Sequence, residues 1–404
     1  MFDIFPIKNG IDNIDGFFCD ATNVGMRTNP ANSSKTAPLD GDVAFIRSDS
    51  LCDVSALFTN NKFQAAPIKH YQQYRKDFQT NFLLINAKNA NAMTGEKGIK
   101  DIDKIFENLS KKVRLVNPIM SSTGVIGYRL DTEKISSAFD KFDYQAKESH
   151  KTARAIMTTD SFKKELCFKV VLDSGDSFHI AAICKGAGMI NPAMATMLCF
   201  VVTDADIPKE DMDSLLLEAT EQSFNRISVD GDTSTNDTLM LLSNKKSGTY
   251  DKDAFREALN KITFELAMMI LRDGEGANKL IAFEVKGATT IEDAQKASRA
   301  LSNSLLVKTA LFGEDPNWGR IASTIGASGV ECDDEKLTIH YDDLLIYSDE
   351  FRELDSQREE SAYKIMKQDS FKIICDLGLG DASYISYGCD LSYEYVKINA
   401  EYRT

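Results

Sequence analysis

Thr196 carries the most chemistry latent in its surroundings. It stands in the run KGAGMINPAMATMLCFVVTDA, from Lys185 to Ala205. In an intact chain a threonine hydroxyl is a poor nucleophile, because nothing in its own residue takes the proton when the oxygen attacks a carbonyl. Scission of the Ala195–Thr196 peptide bond would supply that base. The new α-amino group has an ordinary pKa of about 7.7 to 8.0, near working pH, and sits a few bonds from the hydroxyl. Nucleophile and base then come from one residue. Gly186, Gly188 and Pro192 interrupt regular structure, so the backbone reaching Ala195 is expected to turn sharply and be held under strain. From Met197 to Val202 the sequence becomes apolar and β-branched, the pattern of a buried strand. The same run also reads as a glycine-rich turn entering a core strand, and pattern alone does not choose between the two.

Other groups suit the same chemistry. SSTGVIG from Ser121 offers a hydroxyl and a glycine amide at adjacent positions, which can converge on one developing oxyanion. Each such donor is typically worth about 10² to 10³ in turnover. It also reads as a small-residue turn between two strands. Lys185 is a cation close in sequence to Thr196, and Glu275 is a carboxylate set between two glycines in DGEGANKL. Cys199 lies three residues past Thr196, an odd offset that sends it to the opposite strand face. The four histidines, at 70, 150, 179 and 340, fall in no triad or metal motif. Gly186 and Gly188 begin a dinucleotide-binding GxGxxG, but Asn191 occupies the third glycine position, and there is no GxxxxGK[ST] phosphate loop. DGDTSTND from Asp230 starts like a calcium loop. It carries Thr235 where the turn glycine belongs and Leu241 where the bidentate glutamate belongs, so it reads as a structured turn.

The elements that must position these residues alternate between strand and helix. CFKVVLD and SFHIAAI form a strand pair leading into the Lys185 run, and CFVVT follows it. Pro208 opens a helix to about Arg226, with Met212, Leu215, Leu216 and Ala219 inward. A second helix, 253–271, spaces Phe255, Leu259, Ile262, Leu266 and Ile270 on one face until Gly274 and Gly276 stop it. From about Asn278 come the strand KLIAFEVK, a helix over 292–305, the strands LTIHY and LLIYS, another helix and the strand FKIICDL. That content indicates α+β layers.

A chain of 404 residues with eight cysteines, no CxxC pair and several cysteines in apolar strands reads as a reduced protein of more than one domain, with no zinc site. A net charge of −14 and a pI near 4.9 argue against nucleic acid or anionic membrane as partners. No apolar run approaches the ~18 residues of a membrane span, and the start MFDIFPIKNGI lacks a basic region followed by an apolar stretch. A cytoplasmic location is expected.

Taken in order, NNKFQAAPIKH, NANAMTG, SSTGVIG, AIMTTD, the Lys185 run, VDGDTSTND, DGEGANKL, FGEDPNWGRI, DLGLGDAS and YGCDLSYEYVKINAEYRT resemble the glutamate N-acetyltransferase family, also called ornithine acetyltransferase, of arginine biosynthesis. The resemblance implies an α-β-β-α layered core, residues 1–277, self-cleaved into an α chain 1–195 and a β chain 196–404. A smaller C-terminal α+β domain, 278–404, would follow, its tail closing the active site. It implies Thr196 as nucleophile, its amine as base, and Thr123 and Gly124 as the oxyanion hole. Substrate binding is carried over to Lys185, Thr196, Glu275, Asn399 and Thr404, with one of Thr158 and Thr159. Lys185 suits the α-carboxylate of an N-acetylated amino acid, and Glu275 the ammonium of acetylornithine. The implied reaction moves acetyl from N2-acetyl-L-ornithine to L-glutamate, without ATP, metal or coenzyme. Some members also use acetyl-CoA as co-substrate. Assembly as α2β2 or larger is implied too. An N-terminal-nucleophile amidohydrolase or aminopeptidase is the alternative. Ala87 and Lys88 stand where relatives tend to have serine and glycine, and Ala193 where asparagine is common.

Overall fold

The computed structural model describes residues 1–26, 41–191 and 197–401. It divides into two compact units. The first comprises Met1–Gly186, Ala193–Asn225 and Thr233–Ala267; the second comprises Ala187–Pro192, Arg226–Asp232 and Met268–Thr404.

Strand alternation builds the first unit. In strand Val43–Phe58, Val43 and Phe45 turn to one side while Ala44 and Ile46 turn to the other; in Gln79–Asn86, Phe82 and Leu84 oppose Leu83 and Ile85. The first set meets helix Gly95–Ser110 through Ile102, Ile105, Phe106 and Leu109. Each of those side chains gains roughly 1.5 to 3 kcal/mol on burial, far more than helix propensity supplies. The second set shares a core with Leu198, Phe200 and Val202 of strand Leu198–Thr203 and with Met240 and Leu242 of Thr238–Ser243.

The nine strands form one ladder: Phe2–Pro6, Lys164–Leu172, Ser177–Lys185, Leu198–Thr203, Thr238–Ser243, Val43–Phe58, Gln79–Asn86 and Ile119–Ser122, with Phe17–Thr22 on the long strand. Register shifts between Arg47 and Cys52 of that long strand. One short helix shows that the sheet folds back on itself. Ser149–Ala155 is entered through Glu148, whose N–H donates to the Cys19 carbonyl at 3.0 Å, and its Ser149 neighbours Glu165, although four strands of the ladder lie between those of Cys19 and Glu165. Helix Lys209–Gln222 buries Met212, Leu215, Leu216 and Ala219, and helix Lys252–Arg272 sets Phe255 5.8 Å from Phe178. The unit is therefore layered α-β-β-α, as the resemblance implied.

The second unit has a six-stranded sheet in the order Leu344–Tyr347, Thr338–Tyr341, Ser370–Asp376, Leu280–Ala288, Ala382–Cys389, Ile227–Ser228. Phe283, Val285, Ile339, Ile373 and Cys375 face helices Ile291–Asn303, Leu305–Phe312, Trp318–Ala327 and Ser356–Met366. The opposite face is half-exposed and carries the Lys372–Glu284 ion pair at 3.0 Å. All eight cysteines are free; seven are buried and Cys332 is exposed. Among the described residues no helix is long and apolar enough to cross a membrane.

Candidate active site

In the first unit, Thr123 and Gly124 follow directly on strand Ile119–Ser122. Their corner is tightly specified: Thr123 N–H donates to Asn86 O at 3.0 Å, and the Ser122 hydroxyl to Asn86 Oδ1 at 2.6 Å. Gly124 has φ 129°, and a Cβ there would lie 2.0 Å from the Lys88 carbonyl oxygen. Only glycine fits both the dihedral and the space. A helix, Thr132–Ser137, is the next regular element, so the corner is not the turn between two strands that its composition also suggested.

Two residues of the DGDTSTND turn organise this corner. Asn236 Nδ2 donates to Ala90 O at 2.7 Å and to Ser122 O at 2.9 Å. Asp237, fully buried, accepts the Met197 N–H at 3.1 Å, and Thr238 N–H donates to Met197 O at 3.0 Å. Met197 is the residue after Thr196, and Ser122 the residue before Thr123. One dipeptide thus fixes the backbone beside both.

Lys185 ends strand Ser177–Lys185 and is 4 % exposed. Beside it lies Asp160. Its Oδ1 accepts the Lys164 ammonium at 2.7 Å and the Gly186 N–H at 2.7 Å, and its Oδ2 accepts the Thr158 N–H at 2.9 Å. Burial alone would raise the Asp160 pKa. The charges of Lys164 and Lys185, with the hydrogen bonds from Lys164 and Thr158, outweigh it and hold the carboxyl below the usual carboxylate range. Cys199 pairs across the strands with Cys184, and burial pushes its thiol well up, which makes it a poor nucleophile.

The chain enters the second unit at Ala187. There Asp230 accepts the N–H groups of Met189 at 2.6 Å and Ile190 at 2.9 Å, while Ile190 O accepts Val229 N–H at 2.9 Å. Met189 adopts φ 57°, a left-handed conformation that costs a non-glycine residue of order 1 to 3 kcal/mol. Burial raises the pKa of Asp230, and the Tyr395 hydroxyl donates to Asp230 at 3.3 Å. Glu275 is 9 % exposed; its N–H donates to Ala187 O at 2.9 Å and its Oε2 accepts Asn399 Nδ2 at 2.7 Å. A Cβ on Gly188 would lie 2.4 Å from the Glu275 carboxyl carbon. A carboxylate, an amide and a bare glycine backbone meet here, a polar grouping whose charge suits a cation.

Residues 28–404 match the family model described as ArgJ family. The chain is 56 % identical, over the full length of both proteins, to the arginine biosynthesis bifunctional protein ArgJ of Wolinella succinogenes. It is 40 % identical to the glutamate N-acetyltransferase of Methanothermobacter thermautotrophicus, covering 87 % of this chain and 90 % of that one. A solved structure of ArgJ from Bacillus halodurans aligns with 50 % of this chain and 97 % of its own at 38 % identity and a TM-score of 0.46. The chain belongs to the ArgJ family. It is accordingly an acyltransferase of arginine biosynthesis.

Of the residues that the ArgJ-family resemblance singles out, Thr158 bonds to the Asp160 carboxylate and Lys185 lies beside it in the first unit, while buried Thr123 and half-buried Gly124 form the corner after strand Ile119–Ser122. Thr158 and Thr159 are both half-buried; the bond from Thr158 N–H to Asp160 ties the first of them to the Lys185 neighbourhood. Glu275 and Asn399 touch in the second unit. Ala195, Thr196 and Thr404 lie outside the described residues. Sequence reasoning passed over Asp160, Asn236 and Asp237. The last two sat in a motif measured against a calcium loop, although a run of Ser, Thr, Asn and Asp before a strand is also how a chain supplies caps to neighbouring backbone.

Proposed function

We propose that this ArgJ-family enzyme transfers acetyl from N2-acetyl-L-ornithine to L-glutamate through an acetyl ester on Thr196, after cutting itself between Ala195 and Thr196. The observation that carries the reading is the Asn236–Asp237 pair, bonded at Ser122 and at Met197. It fixes the neighbours of the assigned oxyanion donors and of the assigned nucleophile from one short turn, the preorganisation acyl transfer needs.

In the first step the Thr196 oxygen forms a bond to the acetyl carbon while its proton passes to its own α-amine. The oxyanion is stabilised by Thr123 and Gly124. The C–N bond then breaks, and the proton returns to the departing ornithine nitrogen. Glutamate's amine attacks the ester in the second step and Thr196 regains its proton. Lys185 is assigned to the α-carboxylate, Glu275 with Asn399 to the side-chain ammonium, and Thr158 or Thr159 and Thr404 to further substrate contact. One amide replaces another of nearly equal energy, so the exchange needs no ATP, metal or coenzyme. Acetyl-CoA would acylate the same oxygen in a second activity, as the bifunctional name of the Wolinella succinogenes relative suggests. The resemblance extends the proposal to a catalytic core 1–277, a C-terminal domain 278–404 whose tail closes the site, and a cytoplasmic α2β2 assembly.

The test is direct. Purified protein should run on a denaturing gel as fragments 1–195 and 196–404, and quenched reactions with labelled acetylornithine should leave label on Thr196. Thr196→Ala should stay as one band and lose transfer at least 10³-fold. Ornithine release at the same rate without glutamate would point to a hydrolase instead.

A further inference from the structure

Asp160 and Lys164 bury their side chains completely, at 0 % exposure each, and join at 2.7 Å. Removing two charges from water costs several kcal/mol per ion, and such pairs are often no more stable than packed hydrophobic residues of the same volume. Stability is therefore a weak reason for this pair. Its remaining contacts point to a different one. The carboxylate that Lys164 holds in place accepts the backbone N–H of Gly186, next to Lys185, and that of Thr158. Hydrogen bonds to an ionised acceptor are roughly twice as strong as neutral ones, so the anchored carboxylate is a firm datum for both segments. Thr158 belongs to the bend before strand Lys164–Leu172, and Lys185 to the end of strand Ser177–Lys185. Those strands are ladder neighbours, with Lys164 opposite Cys184. The strand ladder sets the distance between them, and Asp160 sets the approach of the two loop backbones.

The structure assigns Asp160 as the positioning residue for substrate binding: a buried carboxylate, fixed by the Lys164 ammonium, that sets the places of Lys185 and Thr158 through the adjoining amides without touching substrate. The role rests on the proposed reading of Lys185 as a substrate contact, with Thr158 one of the two threonines that reading offers. It predicts an effect on donor binding that a merely structural ion pair would not have. A misplaced Lys185 weakens capture of the donor's carboxylate, while the acetyl-ester chemistry at Thr196 is left in place.

The experiment uses full-length protein and steady-state kinetics with N2-acetylornithine and glutamate. Asp160→Asn alone leaves the Lys164 charge buried without its counterion, so Asp160→Asn/Lys164→Met, which removes both charges, is made beside it. The double variant should unfold within a few degrees of the wild type and run as the same two fragments. Its KM for acetylornithine should rise tenfold or more, with kcat changed less than threefold. A folded Asp160→Asn protein should show the same split. A folded double variant with wild-type KM overturns the role of Asp160 and leaves the acetyl-transfer reading standing. A wild-type enzyme that moves no acetyl group removes that reading, and the inference with it.

Discussion

Gly188 is a residue whose smallness the structure requires. Its Cα faces the Glu275 carboxylate so closely that one added methyl group would occupy the space the carboxyl carbon holds, at 2.4 Å. Gly188→Ala should push Glu275 away from Asn399 and break their 2.7 Å hydrogen bond. The expected result is a KM for acetylornithine raised about tenfold, the cost of one displaced charged contact, with the thermal unfolding midpoint little changed. A wild-type KM would show that Glu275 does not hold the donor. From the sequence, Gly188 read as a breaker in the loop before Thr196, and nothing in its neighbourhood named its partner, because Glu275 is 87 residues further along the chain. Lys88 illustrates the opposite case. The expectation that relatives carry glycine there now has a physical meaning: Lys88 sits at φ 98° with its carbonyl accepting Val125 N–H at 2.8 Å, a backbone shape glycine adopts without strain.

Among the elements, the Thr233–Asp237 turn matters more than its lack of regular structure suggests. Asn236→Ala would leave the carbonyls of Ala90 and Ser122 without their shared donor in a buried setting. Each buried polar group left unpaired costs roughly 1 to 3 kcal/mol. The variant should melt several degrees lower and lose kcat at least tenfold, since the Ser122–Thr123 corner relaxes; thermal unfolding and initial rates check both. Strongly periodic elements were legible. The helix expected over 253–271 is Lys252–Arg272, and the one expected from Pro208 to about Arg226 is Lys209–Gln222, ending early where Ser223 turns to φ −129°, ψ −92° and a 3-10 turn, Phe224–Arg226, follows. The helix expected over 292–305 stops at Asn303, because extended Ser304 ends it and caps a further helix, Leu305–Phe312, by accepting Val307 N–H at 3.3 Å. That helix and Trp318–Ala327 were not among the elements read from the sequence; Gly313, Pro316 and Gly319 break the apolar periodicity between them. Layer order was not legible either. It depends on pairings between strands far apart in the sequence, such as Val43–Phe58 with Thr238–Ser243, and hydropathy does not mark those.

At the scale of the whole molecule, the buried Asp160 ties stability to pH. Its folded-state pKa is depressed, so its contribution is fully present above the unfolded value of about 3.9 and fades as pH falls below about 4 toward the folded value. Wild-type urea midpoints should therefore drop steeply between about pH 4 and pH 2. Asp160→Asn/Lys164→Met should show a shallower acid limb over the same range, and equal slopes would mean that the pair contributes nothing.

The ladder order also bears on when the proposed cut could come. Strands Leu198–Thr203 and Thr238–Ser243 lie side by side in the middle of the nine, with Ser177–Lys185 on one flank and Val43–Phe58 on the other. A nick before Thr196 would place the two inner strands on one polypeptide and both flanks on the other, like a tongue in a groove. Neither piece could complete its sheet in isolation, and each would present two raw hydrogen-bonding edges to its surroundings. A cut made there would have to wait for the precursor to finish folding. Halves produced from separate messages should clump instead of assembling.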